Sequence, residues 1–313
     1  MEYGSIPGVD LPVSRVIQGC TGISRRELDL ALDLLDGVFE LGCTACDTAV
    51  IYGGGQSERA LGEWVSRRGV RKKVVLVTKG AHHNQDRKRV TPFDIASDLH
   101  DSLARLKTDY IDVYLLHRDD PDVPVGEIVE ALNEHASSGK IRAFGGSNWT
   151  GDRIRQANDY ARDHGLTGFV VSSPNLSLAV SADVPWGGCV SISAPEGRAD
   201  RQWYAETQMP VLAWSSLAGG FLTGRFTREN VHTFTEGMDA TLVRCYGTEE
   251  NFRRLDWAKR IAADSGASVA QVAVAWLFRQ PLNVFALTAC DTKQEMAANI
   301  EALKLPLGDD CPD

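Results

Sequence analysis

Four side chains of complementary type recur at matching places along the chain. Asp47 closes the apolar run 43–47, Lys79 ends the run VVLVTK, and His117 ends the run YIDVYLLH. Tyr52 follows Asp47 by five residues, in the stretch DTAVIYGGGQSERALG (47–62), where Gly53, Gly54 and Gly55 impose a loop. A phenol in a glycine loop beside a carboxylate is placed to meet a ligand rather than to fill a core. If the three runs are parallel strands, their carboxyl ends share one face, and the four groups meet there. An acid, a phenol, an ammonium and an imidazole on one face suit proton transfer.

That set can reduce a carbonyl if a hydride is supplied, and only a nicotinamide can supply it, since side chains have none to give. The proton donor must be Tyr52. A free phenol, with a pKa near about 10, is a weak acid at neutral pH. An ammonium about 4 Å away favours phenolate by about 4 kcal/mol at an effective dielectric near 20, so Lys79 is expected to lower the phenol's pKa. Asp47 would hold Lys79 charged, and His117 would hydrogen-bond and orient the substrate oxygen. Taken singly, each residue has a plainer reading: a rim tyrosine, a surface lysine, a helix-capping aspartate. All four together, in order, make those readings improbable, although HRDDP could be a structural turn, with Arg118 paired to Asp119 or Asp120.

The elements that must carry these groups alternate. Strands are expected at 16–21, 43–47, 73–78, 110–116, 141–145, 168–172, 210–214 and 283–287. Amphipathic helices are expected at 26–41, 56–67, 92–106, 125–138, 151–163, 249–264, 268–279 and 292–303. In the first helix, Leu28, Ala31, Leu32, Leu35, Val38 and Phe39 share a face, with Ser24 as N-cap and Gly42 as the C′ stop. Eight strands in β–α alternation predict one closed eight-stranded parallel barrel, an α/β single domain. An open doubly wound sheet would want a GxGxxG after the first strand, which Gly19–Cys20–Thr21–Gly22 does not supply. Two stretches, 173–209 and 225–248, read as irregular. The first is too long for an ordinary connection and offers Trp186 as a pocket residue; the second is placed to fold over a cofactor.

Composition narrows the class. The chain has 313 residues, 43% hydrophobic, with a net charge of −9 and a pI of about 5.3. There is no basic stripe for nucleic acid, no apolar run long enough to span a bilayer and no signal-peptide pattern. Seven scattered cysteines suggest a reducing cytoplasm rather than a disulfide framework. Cys43 and Cys46 form a CxxC, but residues three apart on a strand face opposite sides, so no joint metal site is expected.

These motifs resemble those of the aldo-keto reductases. The matching residues are Asp47, Thr48, Ala49, Tyr52, Gly53, Ser57, Glu58 and Leu61–Gly62. Thr78–Lys79, Leu115–Leu116–His117, Gly146–Ser147–Asn148 and the run WSSLAGGFLTGRF from Trp214 match as well. The resemblance implies a (β/α)8 barrel, reversible hydride transfer between NADP (or NAD) and a carbonyl or alcohol, and catalysis by Asp47, Tyr52, Lys79 and His117. It implies cofactor contacts at Gly19, Cys20 and Thr21 after the first strand, at Asp47, and at Ser147 and Asn148 for the carboxamide. Ser173 stands where a glutamine is usual and reaches less far. Trp214 corresponds to the ring that stacks on the nicotinamide. The loop Ser215, Ser216, Leu217, Gly219 to Gly224 would offer N–H groups to the pyrophosphate, and Glu295 and Asn299 would lie near the adenosine. Glu295 and Asp291 would repel a 2′-phosphate, with Lys293 or Arg225 to compensate.

Tyr52, His117 and Trp186 are expected at the substrate. Asp119, Asp120, His82 and His83 at the mouth suit a polar carbonyl such as a sugar or small aldehyde. Three other schemes fit less of the chain. A cofactor-binding regulatory protein with little turnover would keep the same fold. A Schiff-base lyase on Lys79 gives Ser147, Asn148 and Trp214 no purpose. A metal-dependent hydrolase would need Asp47, His82, His83 and His117 as ligands beside a repelling ammonium. No metal is expected, and the oligomeric state is not legible.

Overall fold

The computed structural model describes residues 1–23, 27–308 and 311–312. A short antiparallel hairpin comes first, β1 (Tyr3–Gly4) with β2 (Val13–Ser14). Eight strands then form a closed parallel barrel: β3 (Val16–Gly19), β4 (Ala45–Asp47), β5 (Val75–Gly80), β6 (Ile111–Leu116), β7 (Ile141–Ser147), β8 (Val171–Ser173), β9 (Val211–Ala213) and β10 (Val284–Thr288). The order round the barrel is β10-β3-β4-β5-β6-β7-β8-β9, and β10 also pairs with β9. This is the expected (β/α)8 architecture.

The period of two along each strand sorts the side chains. One set faces inward: Ile17, Ala45, Val75, Val77, Val113, Leu115, Ala143, Val171, Leu212, Phe285 and Leu287, which pack together as one cluster. Ile6 and Val13 of the hairpin join that cluster, so the hairpin plugs the amino-end of the barrel. Continuing the inward register by two residues from Ala45, Val77, Leu115, Ala143–Gly145, Val171 and Leu212 reaches Asp47, Lys79, His117, Ser147, Ser173 and Trp214. The polar end of the barrel interior is therefore the next layer of the same alternation.

The outward set, with Cys46, Leu76, Tyr114, Leu116 and Phe144 among it, packs under the helices. These are α1 (Leu28–Glu40), α2 (Gln56–Arg68), α3 (Pro92–Leu106), α4 (Val125–Ser137), α5 (Gly151–Asp163), α6 (Arg198–Thr207), α7 (Gly237–Tyr246), α8 (Glu249–Ser265), α9 (Val269–Arg279) and α10 (Lys293–Glu301). The Ser24 cap falls outside the described residues. Gly42 has φ +86° just past α1, as a C′ stop requires. Leu28 is exposed and Leu34 is buried, so the packed stripe of α1 is Ala31, Leu32, Leu34, Leu35 and Val38.

Three expectations are corrected. The stretch 173–209 ends in α6, and 225–248 contains α7. Neither shows a strong apolar stripe, because α6 buries Tyr204 alone and α7 buries only Leu242, Cys245 and Tyr246. Cys43 and Cys46 share one layer between barrel and helices, since β4 begins only at Ala45 and the period of two does not extend back to Cys43. Cys20, Cys43, Cys46, Cys189, Cys245 and Cys290 carry free thiols. No single described helix is long and apolar enough to cross a membrane.

Candidate active site

Lys79 leaves β5 pointing into the barrel mouth and is 2% exposed. Its ammonium donates to both Asp47 carboxylate oxygens, at 2.6 and 2.7 Å, to the Thr48 carbonyl at 2.9 Å and to the Tyr52 hydroxyl at 3.4 Å. The His117 ring meets the Tyr52 ring edge-on at 5.9 Å. The four residues picked out from the sequence thus form one constellation.

Tyr52 is held there by backbone. Residues 48–50 run on beside β5, with the Thr48 and Val50 N–H groups donating to the Val77 and Lys79 carbonyls at 2.8 and 2.9 Å. Gly53, Gly54 and Gly55 then turn with φ of +58°, +62° and +87°, a path that side chains resist. The following α2 is bolted to the barrel at its first turn. Ser57 Oγ donates to the Cys20 carbonyl at 2.7 Å and lies 2.9 Å from Thr48 Oγ1. Glu58 is fully buried; it accepts from Thr78 Oγ1 at 2.7 Å and from Arg105 Nη1 at 3.2 Å. Thr48, Ser57, Glu58 and Thr78 therefore fix the loop that carries Tyr52.

The electrostatics correct one expectation. Burial pushes the Tyr52 phenol above its ordinary pKa; Lys79 pulls it back, Asp47 pushes it further, and the net direction is up. The residue keeps part of its surface in solvent, yet desolvation of the phenolate outweighs the ammonium. For Lys79, burial alone would lower the pKa, but Asp47 and Tyr52 outweigh it and the ammonium is stabilised. Burial raises the Asp47 carboxyl against the pull of Lys79; with two bonds of 2.6 and 2.7 Å between them, the ion pair is the form the geometry fits. Burial, followed by Lys79 and Arg118, drives His117 well below the usual imidazole range, so it stands as a neutral imidazole.

The expected cofactor positions line the next sector. Ser147 Oγ donates to the Ser173 carbonyl at 3.1 Å. Asn148, at φ +59°, donates from Nδ2 to the His117 carbonyl at 3.3 Å and to Ser147 Oγ at 3.2 Å, and accepts from the Val190 N–H at 3.1 Å. Ser173 Oγ donates to the Leu212 carbonyl at 2.8 Å. Trp214 is partly exposed, its carbonyl accepts from Asn175 Nδ2 at 3.0 Å, and its buried Nε1 has no protein partner. His117 Nδ1 is likewise buried without one.

Beyond Trp214 the backbone enters left-handed conformations at Ser215, Ala218, Gly219, Gly220 and Gly224. Ser216 is buried, donating to the Ala213 carbonyl at 3.0 Å, and Leu217 is partly buried. Gly19 ends β3, Cys20 turns its side chain into the barrel–helix layer, and Thr21 is exposed. At the start of α10, Glu295 accepts from the Asp291 N–H at 2.8 Å, and Asn299 donates to Cys290 Sγ at 3.2 Å. Lys293 is drawn to Glu40 at 2.7 Å, and Arg225 forks onto Asp239.

The mouth differs from expectation in its charges. Asp119 pairs with Arg153 at 3.1 Å and Asp120 with Lys88 at 2.7 Å, so neither takes Arg118. Trp186 is 49% exposed; the residues after it, Gly187 and Cys189, contact Arg118. His82 packs edge-on against His117 at 5.0 Å. A cleft of about 280 Å³ opens beside the four residues rather than over them, lined by His83, Arg118 and Gly188 among others. Among the described residues no group of three or more His, Cys, Asp or Glu is disposed to hold a metal ion.

A parallel barrel with a buried ion pair, a phenol and a neutral imidazole at its carboxyl-end face is a scaffold for proton transfer to or from a bound molecule. The chain belongs to the Aldo/keto reductase family, whose model matches residues 19–311. The family is one of oxidoreductases that use nicotinamide cofactors. The chain is 28% identical over 312 residues to a probable voltage-gated potassium channel subunit beta of Oryza sativa subsp. japonica, covering 97% of this chain and 91% of that one. It is 28% identical over 305 residues to an aldo-keto reductase of Schizosaccharomyces pombe named for NADP(+), covering 93% and 84%. Among solved structures it is similar to a thermostable aldo-keto reductase in complex with the inhibitor epalrestat, with a TM-score of 0.75, 21% identity and coverage of 99% and 96%, a likeness of fold.

Proposed function

We propose that the protein reduces an aldehyde, ketone or sugar carbonyl with a nicotinamide dinucleotide, and runs the reverse oxidation, with Tyr52 as the proton donor and acceptor. The observation that carries this is the Lys79 ammonium, shared between the Asp47 carboxylate at 2.6 Å and the Tyr52 hydroxyl at 3.4 Å. Residues suited to the cofactor are present: a partly exposed Trp214 to stack on, Ser147 and Asn148 at the carboxyl end of β7, and a glycine loop whose left-handed turns present backbone N–H groups.

A bound nicotinamide supplies the hydride. Tyr52 gives its proton to the oxygen that becomes alkoxide. A phenol with a raised pKa keeps that proton at neutral pH, and the alkoxide is basic enough to take it. Lys79 steadies the phenolate left behind, and Asp47 keeps Lys79 charged and in place. His117, neutral, orients the carbonyl oxygen. General acid catalysis of this kind is worth about 10²–10⁴-fold.

For the cofactor's ribose, the residues and the relatives point apart. One relative is named for NADP(+). Here Glu295 and Asp291 put carboxylates at the start of α10, while Lys293 and Arg225 are tied to Glu40 and Asp239. Residues weigh more than the name of a relative 28% identical, and they favour the free ribose hydroxyl of NADH. A reading as a cofactor-binding subunit with little turnover has support too. It comes from the likeness to a channel subunit and from Asn148, whose amide is engaged by protein at both ends.

One experiment separates these. Oxidation of NADH and NADPH is followed with a panel of aldehydes, ketones and sugars, for the native protein and Tyr52→Phe. The expected result is turnover that falls at least about 100-fold in the variant. Turnover unchanged in Tyr52→Phe overturns the mechanism. Tight cofactor binding with no turnover favours the regulatory reading. A preference for NADPH above tenfold refutes the ribose argument.

A further inference from the structure

Arg118 is 7% exposed and permanently charged, yet among the described residues no carboxylate pairs with it. The acids that follow it in sequence are committed elsewhere, Asp119 to Arg153 and Asp120 to Lys88. Of its five N–H donors, Nη1 makes one short bond, to the His117 carbonyl at 2.8 Å. Nε reaches the Gly187 carbonyl at 3.4 Å, and Nη2 reaches Cys189 Sγ at 3.5 Å, a weak acceptor. A cation buried on such terms is costly, and sites bear that cost where an anion arrives to meet it.

The surroundings say where the anion would come from. Arg118 lines the cleft of about 280 Å³ together with His83, Lys88, Arg89 and Gly188. Lys88 is neutralised by Asp120, Arg89 by Asp98 and Asp94, and Asp119, which also lines the cleft, is held by Arg153, so the uncompensated charge on this wall is the guanidinium. Gly188, at φ +75°, lies against the Arg118 stem: a Cβ there would sit 3.3 Å from Cδ. The cleft lies next to the reacting groups, separated from them by two packed rings. His83 lies 4.2 Å from His82, and His82 lies 5.0 Å from His117, the residue adjoining Arg118. The charge is felt at the reacting groups, acting on both Tyr52 and His117.

We propose that Arg118 binds an oxyanion carried by the substrate, so that the preferred substrates are anionic carbonyl compounds with a carboxylate or phosphate a short chain from the carbonyl. A guanidinium fork matches either group. The proposal rests on the oxidoreductase reading above and names its substrate class.

Two matched pairs test it: succinic semialdehyde against its methyl ester, and glyceraldehyde 3-phosphate against glyceraldehyde. The native protein is expected to favour the charged member of at least one pair by tenfold or more in kcat/KM, and which pair responds tells carboxylate from phosphate. In Arg118→Gln that preference should vanish through a rise in KM, with a smaller change for the neutral member; Arg118→Lys should keep part of it. Equal or better use of the neutral member in both pairs overturns the proposal, as does an equal loss for charged and neutral substrates in Arg118→Gln. If Arg118→Gln does not fold, the native pairs and Arg118→Lys decide alone. If no carbonyl is turned over, the oxidoreductase reading has failed separately, and calorimetry with succinate and inorganic phosphate decides. Binding to the native protein weakened tenfold in Arg118→Gln supports the anion site; no binding overturns it.

Discussion

Lys79 has three N–H donors, and the structure engages them all inside the site, on the Asp47 carboxylate, the Thr48 carbonyl and the Tyr52 hydroxyl. Removing it leaves a carboxylate buried without its partner. Lys79→Met is therefore expected to destabilise the fold by about 3–5 kcal/mol, read as a lower urea midpoint at unchanged slope. Asp47→Asn strands the ammonium and should cost a similar amount. The double variant should cost well under the sum of the two, because neither charge is then left alone. Strict additivity would mean the two side chains do not act as a pair. These residues were legible because they end strands, where the alternation of side chains leaves little choice of direction. Glu58 and Thr78 were visible only as motif letters. Their 2.7 Å bond depends on where α2 crosses β5, which no local spacing encodes. The alternative pairing of Arg118 with Asp119 or Asp120 fails for a similar reason: those acids are claimed by Arg153 and Lys88, 34 and 32 positions away in the chain, far beyond the three or four residues over which spacing foretells a pair.

At the scale of elements, one seam of the barrel requires a glycine. Gly145 of β7 pairs with Val171 of β8, and a Cβ on Gly145 would sit 1.8 Å from the Val171 carbonyl oxygen. That neighbour is backbone, so it yields only if the strands part. Gly145→Ala should cost about 3 kcal/mol, seen as a lower thermal midpoint. On the function proposed above it should also weaken cofactor binding, since Ser147 and Asn148 leave the same strand. A variant of native stability would show that the seam opens without penalty. All eight barrel strands were foreseeable from apolar runs, with ends moved by a few residues. The hairpin β1–β2 was not, because strands of two residues are too short to show a period. Nor were α6 and α7, helices that lie on the protein rather than within it and so carry little apolar pattern.

The whole molecule carries a net charge of −9 and keeps a buried imidazole neutral at the centre of its site. In the unfolded chain His117 takes a proton near its ordinary pKa of about 6.5. In the fold it does so only well below that value, because burial, Lys79 and Arg118 all oppose the charge. Between the two pKa values the unfolded chain holds one more proton than the native protein, so stability rises with pH and is lost as pH falls. Each such group contributes a slope of about 1.4 kcal/mol per pH unit in that window. His82 and His135 are lowered as well, also chiefly by burial, and act in the same sense. His117→Gln removes one titration and keeps the rest, so the comparison isolates it. Unfolding free energies measured by urea from pH 7.5 down to 5 should run parallel near 7.5 and diverge below about 6.5, the native protein losing stability faster by about 1.4 kcal/mol per unit. Parallel curves throughout would mean that His117 takes its proton in the fold as readily as in the open chain. It would then be an imidazolium in mild acid, and could not serve there as the neutral group that orients a carbonyl.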